Sequence, residues 1–599
     1  MSQPQPHSGP PTPEYQRRLD EASTALKSLS GRDSWLSTLR WLAFLATFVL
    51  LGLGAEKYVP AWLVIPAFLT FIVAVWFHGR CRQHRELSER RVGLYEQGLK
   101  RLNDDWIGQR ASGERFGDPS HVYSDDLDLF GEGSLFQLIC CARTSVGEDR
   151  LAAWLKHSSE KKAVVARQQA VAELRDNVLL REALGVLDSK VSKSFNQEQL
   201  REWAGTPGEP VPAAARVMAV VLAVFAVLAI IAWTLGLGLG PLGLVLLIEI
   251  PFLFAFQKRI FGVIRGMDEA DKGLTLLSQV LDLIEQRNFN CEFLKNIQRR
   301  LEVEGKPPSQ TISHLASRIG YLNNSLRNQF FAPIAIVLCL PVHLAHSITT
   351  WRSVVGQHID TWLDAVGDFE AILSFAGYAY EHPSYPFPNI SDDPTVLNCE
   401  DIGHPLLPAD RCIKNSVTLG SDKQLMLISG SNMSGKSTLL RTLGTNTVLA
   451  LAGAPVNATS MEVSRLQLGT AMRVSDSLMD GKSLFFAVLG RLKSVVDLGL
   501  DELPLLFLLD EILQGTNSHD RRIGAEAVIR SLVERGSIGI VTTHDLALTE
   551  IGSSIPGTEN VHFADSLKDG EMSFDYTLRP GVVKKSNAIE LMRLVGLDV

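Results

Sequence analysis

The stretch from Leu425 to Thr438 constrains this chain more than any other, because it combines a strand, a glycine-bounded loop and the start of a helix. Its apolar beginning, Leu425–Ile428, predicts a buried strand, and the loop after it has the P-loop spacing G-x-x-x-x-G-K-[ST]. In such a loop, backbone N–H groups point inward at phosphate, and glycine lets the backbone approach it closely. The predicted phosphate-binding residues are Gly430, Ser431, Asn432, Met433, Ser434, Gly435, Lys436, Ser437 and Thr438.

Two residues of this loop have specific predicted roles. Lys436 supplies a point charge for the β- and γ-phosphates, and the Ser437 hydroxyl is a predicted ligand of Mg²⁺. The dipole of the helix that begins here adds a favourable field for an anion. The stretch therefore predicts a nucleotide site that uses Mg²⁺.

Two later strands are predicted to end beside this loop. The apolar run Leu505–Leu509 is followed by Asp510 and Glu511, and the run Ile538–Thr543 is followed by His544. In an α/β sheet the carboxyl ends of parallel strands face the ligand. We expect Asp510 to hold Mg²⁺, usually through water, and Glu511 to polarise the attacking water. A lone histidine is more often structural, but at the end of a third strand His544 suits a sensor of the γ-phosphate or of the attacking water.

Composition restricts the remaining function classes. The net charge of −8 and the sequence pI near 6.0 give no overall basic field for nucleic acid, so a surface of that kind has to be local. The seven cysteines form no C-x-x-C pair, which favours incidental thiols in a reducing compartment. A length of 599 residues leaves room for several domains.

Four apolar runs, arranged as two pairs, interrupt the N-terminal part of the chain. The runs cover residues 41–54 and 59–77 in the first pair, and residues 217–233 and 242–256 in the second. Arginines and lysines flank both pairs on the outer side, and this bias places the outer ends in the cytoplasm. We therefore predict transmembrane hairpins at 38–78 and 211–257, in a multi-pass protein of the cytoplasmic (inner) membrane. Buried helical hairpins of a soluble domain are the alternative.

The other segments predict helices around the hairpins and a nucleotide domain at the end. The expected divisions are a polar, partly disordered segment at 1–37, helical regions at 79–210 and 258–385, and the nucleotide domain at 394–599. The apolar run 330–348 contains two prolines and favours a buried core helix over a fifth span. Glu249, which lies close to Pro251 in the second hairpin, predicts an interhelical contact or a snorkelling side chain.

Five motifs in order resemble the MutS family of DNA mismatch-repair ATPases. They are the P-loop G-S-N-M-S-G-K-S-T, the block that starts at Asp510-Glu511, the Thr-Thr-His that ends at His544, the pair His404-Pro405 and the loop 474–483. The resemblance implies an α/β P-loop (ABC-like) ATPase domain preceded by an all-α core and lever domain. It further implies ATP with Mg²⁺ and a homodimer in which Ser475, Asp476 and Ser477 act on the partner's nucleotide.

The chain also departs from the family pattern. A mismatch-reading domain with a Phe-x-Glu wedge is not evident, and Phe130-Gly-Glu132 fits that tripeptide only by spelling. Arg521 stands where the family usually has glycine. With the hairpins, these departures make the chain most similar to membrane-associated MutS-like proteins.

The resulting expectation is a membrane-anchored ATPase, with its nucleotide domain in the cytoplasm, that switches conformation as a dimer. It could bind DNA without mismatch specificity, as a clamp does. The alternatives are a membrane-tethered switch for a protein partner of unknown identity and a transporter, although the few, weakly polar spans argue against a transporter.

Overall fold

The computed structural model describes residues 10–187, 197–206, 211–264, 270–303, 306–329, 331–431, 433–473, 484–513, 517–568 and 571–583. Within these ranges a helical N-terminal region is followed, from Asn389, by an α/β region. This confirms the coarse fold class that the sequence predicts.

The helical region contains both long and short helices. They are α1 (Pro11–Ala55), α2 (Val64–Leu102), α3 (Leu135–Ile139), α4 (Ser145–Lys156), α5 (Lys161–Arg175), α6 (Val178–Gly185), α7 (Gln197–Gly205), α8 (Ala213–Thr234), α9 (Gly240–Ile264), α10 (Ala270–Glu285), α11 (Glu292–Leu301), α12 (Pro308–Arg327), α13 (Ala332–Val337), α14 (Leu340–Val355) and α15 (Ile359–Glu381).

Helix α15 is the centre of the helical region. It is buried on nearly all sides, and Trp362, Phe369 and Phe375 are among its largest enclosed side chains. Helices α4, α5 and α11 pack against it and cover its faces. Its last residue, Glu381, lies eight positions before the first strand of the α/β region, so α15 joins the two regions.

The α/β region contains ten strands and the helices between them. The strands are β1 (Asn389–Ile390), β2 (Val396–Ile402), β3 (Asn415–Gly420), β4 (Leu425–Ser429), β5 (Ser460–Val463), β6 (Gln467–Ala471), β7 (Leu505–Leu509), β8 (Ile538–Thr543), β9 (Thr558–Lys568) and β10 (Glu571–Pro580). The helices are α16 (Lys436–Ala452), α17 (Leu484–Leu498), α18 (Ser518–Glu534), α19 (Leu546–Thr549) and α20 (Ile551–Ser554).

The larger sheet has the order β10-β9-β4-β8-β7-β6, and only the β10–β9 pair is antiparallel. Strand β4 therefore lies in the interior, with Leu425 opposite Gly539 on β8 and Thr558 on β9. Strands β4, β7 and β8 are buried along their whole length, as expected for parallel strands covered on both faces.

The α/β region begins before the predicted boundary at residue 394. The two residues of β1 pair in parallel with β5, with Asn389 opposite Glu462 and Ile390 opposite Val463. This strand extends the smaller sheet, which has the order β1-β5-β2-β3. A two-residue strand beside a proline-rich link carries no periodicity, so the sequence pattern could not reveal it.

Helix α1 starts at Pro11, inside the segment 1–37 that the sequence predicts to be polar and partly disordered. Proline is favoured in the first turn of a helix, where its missing N–H leaves no bond unmade. Tyr15 and Arg18 are buried, and the Tyr15 hydroxyl donates to Glu381 at 3.1 Å. The start of α1 is thus part of the helical core, while residues 1–9 lie outside the described ranges.

By length and composition, four of the described helices could cross a membrane: α1, α2, α8 and α9. They contain the four apolar runs of the predicted hairpins. Between 6% and 22% of each apolar window is buried inside the protein. Most of each apolar window is therefore left uncovered by the rest of the described chain.

The apolar stretch 330–348 is not among these candidate spans and forms the two short helices α13 and α14. Cys339 separates them with a φ of 44°, and Pro333 and Pro341 occupy first-turn positions. Ala335, Val342 and Ala345 are buried, which agrees with a core position. The expected single helix is broken because each proline starts a helix of its own.

Glu249 of α9 makes the interhelical contact that the sequence predicted. The carboxyl is 0% exposed, and the Cys339 thiol donates to its Oε1 atom at 3.0 Å. This contact joins the second hairpin to the start of α14.

Candidate functional site

The P-loop lies between the inner strand β4 and helix α16. Met433 has a φ of 71° and Gly435 a φ of 102°, so the loop turns through the left-handed region twice. At Gly435 an added Cβ atom would come within 3.0 Å of the Tyr576 ring. Both the conformation and the close approach require glycine at this position.

Lys436 is enclosed by the loop that precedes it. The side chain is 4% exposed, and its Nζ atom donates to the carbonyls of Gly430 at 2.9 Å and Ser431 at 2.8 Å. Burial lowers the pKa of Lys436, while the charges of Glu511 and Asp510 act in the opposite direction. The lysine therefore presents a weakly hydrated charge, held by two neutral acceptors, at the place where phosphates would lie.

Two hydroxyls of the same loop test whether phosphate fits here. The Oγ atoms of Ser431 and Ser434 are buried and make no hydrogen bond within the described part of the chain. Unpaired buried hydroxyls are unfavourable unless something binds them. Phosphate oxygens can accept from both, so this loop fits the group that its sequence predicts.

The carboxylates and the histidine meet beside the loop because β7 and β8 are adjacent and parallel. The Asp510 carboxylate and the Glu511 backbone N–H both bond to the Thr542 hydroxyl, the latter at 3.1 Å. Glu511 Oε1 lies 3.2 Å from His544 Nδ1 and 4.0 Å from Lys436 Nζ. Glu511, which can act as a base, therefore lies between the cationic Lys436 and His544, which can carry a proton.

Lys436, Asp510 and Glu511 line one side of an open pocket of about 1090 Å³, and His544 contacts it only through Glu511. Ser437, Thr438 and Asp510 face the same pocket, so the two predicted Mg²⁺ ligands lie together. Among the described residues no cluster of three or more His, Cys, Asp or Glu side chains could hold a metal alone. One hydroxyl and one carboxylate suit Mg²⁺, which keeps waters and shares phosphate oxygens.

The opposite side of the pocket was not predicted from the sequence. It is mainly apolar and aromatic and is formed by Ile402, His404, Leu407, Ile413, Phe574 and Tyr576. Tyr576 lies at an irregularity between β9 and β10, has a φ of 54°, and is fixed by Asn415, whose Nδ2 donates to its carbonyl at 3.0 Å. Such a wall can stack against a base. Apart from the pair His404-Pro405, no motif marks this wall, because its members come from separate loops and strands.

His404 belongs to this wall as a neutral group. Burial lowers its pKa to about 4, and its Nδ1 accepts from the Leu406 N–H at 3.2 Å. It can therefore offer an uncharged ring edge to a nucleotide.

Other residues singled out in the sequence lie elsewhere. Arg521 pairs with Asp545 at 3.1 Å, directly after His544, so it ties α18 to the histidine loop. Phe130 packs against Phe116 and Phe136 in the helical core, with ring centroids 5.7 and 5.8 Å apart. Asn432, Ser475, Asp476 and Ser477 lie outside the described residues.

The structure adds a link between the helical region and the end of β6. Asp126 is buried and accepts from the Thr470 hydroxyl and from the backbone N–H of Arg473 at 2.9 Å. The Arg473 side chain pairs with Asp128 at 2.6 Å. The helical region thereby holds the residue that immediately precedes loop 474–483.

A P-loop on the inner parallel strand β4, with acidic residues at the end of β7 two strands away, defines the class of the α/β P-loop ATPase domain. Within that class, residues 426–598 match the family model of MutS domain V.

Curated relatives agree with this assignment. The chain is 31% identical over 237 residues to "DNA mismatch repair protein MutS 2" of Halobacterium salinarum, which covers 39% of this chain and 27% of that protein. It is 28% identical to "DNA mismatch repair protein MutS" of Staphylococcus haemolyticus over 254 residues, 40% of this chain and 28% of that protein.

The C-terminal part of this chain, residues 426–598, is therefore similar to domain V of the MutS family, as its motifs predict. The chain spans about a quarter of the length of the curated relatives that it matches.

Proposed function

We propose that this protein is a membrane-anchored, MutS-like ATPase that uses ATP and Mg²⁺ to switch conformation as a homodimer. The observation that carries the proposal is the convergence of Lys436, Asp510 and Glu511 on one pocket of a region that matches MutS domain V, with His544 3.2 Å from Glu511. The four long apolar helices in the same chain supply the anchor.

In the proposed reaction, Lys436 exchanges its two loop carbonyls for phosphate oxygens. Glu511 orients and polarises a water for attack on the γ-phosphorus, and His544 positions the Glu511 carboxylate from 3.2 Å away. Mg²⁺, held at Ser437 and Asp510, would neutralise charge on the phosphates. The Tyr576 wall would hold the base.

The exposed faces of α1, α2, α8 and α9 support the membrane anchor. Large apolar side chains there, including Trp41, Phe48, Phe68 and Leu247, are more than 45% exposed. Contiguous apolar surface of this kind is unfavourable in water and suits lipid. With arginine and lysine at the outer ends, the predicted topology leaves both termini and the ATPase domain in the cytoplasm.

The decisive experiment compares Glu511→Gln with a matched control, Glu502→Gln. Glu502 is exposed just before β7 and does not line the pocket. Glu502→Gln therefore makes the same change of charge away from the nucleotide site. We expect Glu511→Gln to bind ATP normally and to hydrolyse it at least 100-fold more slowly. Phosphate release and nucleotide retention are measured on the purified full chain. Normal ATP turnover by Glu511→Gln would contradict the catalytic role proposed for Glu511.

Binding to DNA is a second candidate function, and the similarity to proteins named for DNA mismatch repair favours it. Two arginines that could form a phosphate-binding patch are engaged within the protein: Arg300 with Asp368 at 2.6 Å, and Arg299 with Glu292. DNA binding should therefore be weak, indifferent to mismatches and steeply dependent on salt.

Titration of matched and mismatched duplexes at two salt concentrations separates the candidates. A preference for mismatched duplexes that persists at high salt would favour a role in mismatch repair. Absence of binding at low salt would favour a switch that acts on a protein partner.

A further inference from the structure

A second pocket, far from the nucleotide site, contains several arginines. It has a volume of about 430 Å³ and lies where the start of α1, the end of α2, α6 and the end of α15 meet. Arg101, Arg110, Arg143 and Arg181 all line it. Neither the P-loop chemistry nor the candidate membrane spans use these residues.

The carboxylates in the same pocket already have partners. Glu381 binds Arg101 through both oxygens, at 3.0 and 2.6 Å. Glu182 pairs with Arg18 at 3.1 Å and Arg91 at 2.8 Å. Glu148 pairs with Arg115 at 3.2 Å.

The other three guanidiniums have no carboxylate oxygen within 4.0 Å in the described part of the chain: Arg110, Arg143 and Arg181. Arg110 donates only to the carbonyls of Leu138 and Ile139, both at 3.3 Å. Arg143 donates to the Gly185 carbonyl, and Arg181 to the carbonyls of Leu174 and Arg175. Three positive charges are thus held by neutral acceptors.

Their hydrogen-bonding capacity is also incomplete. Arg101 Nη1, Arg143 Nε and Arg181 Nη2 are buried and make no hydrogen bond within the described residues. Arg101 itself is 7% exposed. Burial lowers the pKa of Arg110 to about 10; the neighbouring Arg101 acts in the same direction, and the charge of Glu381 opposes both. A partly buried cation without a paired carboxylate is unfavourable, and a bound anion would offset that cost.

We propose that this pocket binds a small soluble phosphorylated molecule, with its phosphate against Arg110, Arg143 and Arg181. Guanidinium groups match phosphate because their planar N–H pairs bind two oxygens at once. The volume exceeds what a bare phosphate needs and lies within the range of small-ligand sites. The ligand would fasten the base of the first hairpin to α15, which leads to the ATPase domain.

A lipid headgroup cannot easily be this ligand if the first hairpin crosses the membrane as proposed. Tyr15, at the pocket, precedes Trp41 by 26 positions on one continuous helix, and 26 residues at about 1.5 Å each span about 39 Å. The pocket therefore lies well outside the bilayer.

The test measures binding of pyrophosphate by the full chain in zwitterionic nanodiscs, at constant ionic strength, by the shift in the unfolding midpoint. Every sample carries Lys436→Ala, so any weak binding at the P-loop is the same in all of them. We expect Arg143→Gln and Arg181→Gln each to weaken pyrophosphate binding at least tenfold. Arg150→Gln is the matched control, because Arg150 is paired with Asp364 and Asp368 and does not line the pocket.

A cavity-filling variant provides an independent test in case the arginine variants do not fold. Gly377 lines the pocket on α15, and an added Cβ atom there meets only Arg181 Cδ, at 3.6 Å. Gly377→Leu should fold, keep all four arginines and still lose pyrophosphate binding.

Three outcomes would overturn the proposal. Equal pyrophosphate binding by parent and variants would place the anion elsewhere. Absence of binding by the parent would mean that water alone fills the pocket. A midpoint shift produced by anionic lipid in the nanodisc, but not by pyrophosphate, would assign the site to a headgroup. None of these outcomes depends on ATP hydrolysis, so the proposed function stands or falls separately.

Discussion

The two candidate membrane hairpins are joined to the rest of the protein in different ways. Helices α1 and α2 continue far beyond their apolar segments, and their ends carry buried polar side chains, among them Arg18, Tyr95 and Arg101. Helices α8 and α9 are little longer than their apolar segments. Among the described residues, α9 makes buried polar contacts through Glu249 with Cys339 and through the Val263 carbonyl, which accepts from the Trp203 indole N–H at 2.9 Å. The first hairpin is therefore anchored by ion pairs in the core, and the second mainly by apolar packing.

The largest expected effect comes from breaking the ion pair between Arg101 on α2 and Glu381 on α15. Arg101→Met leaves a buried carboxylate without its partner, and such losses cost about 3–5 kcal/mol. The measurement is the free energy of unfolding of the full chain in detergent. The double variant Arg101→Met, Glu381→Leu should recover most of the loss. A double variant as unstable as Arg101→Met alone would show that the unpaired charge of Glu381 does not cause the loss of stability.

The same pair should make the first hairpin sensitive to acid. Burial alone would raise the pKa of Glu381, but Arg101 outweighs it, and the net result is a pKa lowered to about 2. Because the folded pKa is lowered, this contribution is complete above the ordinary pKa near 4.5 and is lost as pH falls from there through about 2. The stability–pH profile should be flatter for the double variant. Identical profiles in this window would contradict the assignment.

A smaller effect should follow from separating α1 and α2. A Cβ atom on Gly98 would come within 2.8 Å of the buried Tyr15 ring, so Gly98→Ala should cost about 1–3 kcal/mol. Gly93→Ala on the same helix is the control, since nothing lies within 4 Å of its added Cβ. It should be neutral or stabilising by up to about 1 kcal/mol. Equal unfolding midpoints for the two variants would mean that the helices are not tightly packed at Tyr15.

The smallest effect is expected in the second hairpin. Glu249→Gln keeps the shape and leaves an oxygen that can accept from the Cys339 thiol. We expect a loss below about 1 kcal/mol, because a thiol is a weak donor. Thermal unfolding in nanodiscs provides the comparison with Arg101→Met. A loss as large as that of Arg101→Met would make both hairpins equally dependent on polar anchoring.

The parts of the molecule that the sequence predicts well are those whose chemistry is local. The P-loop, Asp510-Glu511 and His544 each follow an apolar strand, and parallel pairing of β4, β7 and β8 brings them together without further information. The apolar runs likewise indicate their helices by length alone.

Other features depend on contacts between distant segments, which no local pattern records. Tyr576 reaches the pocket through an irregular hairpin, Asp126 holds Arg473 across 347 positions, and Arg521 finds Asp545 from another helix. The burial of the start of α1 was not predicted for a related reason. Its sequence is polar because its exposed side faces water, while Tyr15 is buried by a helix whose last residue lies more than 360 positions later.

Helix α2 runs without interruption for 39 residues from Val64 to Leu102, which at about 1.5 Å per residue makes a rod of about 58 Å. Its inner end is fixed beside α15, and its outer half is a candidate span. A rod of that length converts rotation into travel, so a tilt of about 5° at Arg101 would displace the far end by about 5 Å. A rotation of α2 at Arg101 that is too small to alter any single contact by much is therefore amplified, along this lever, into a displacement at the far end of the candidate span.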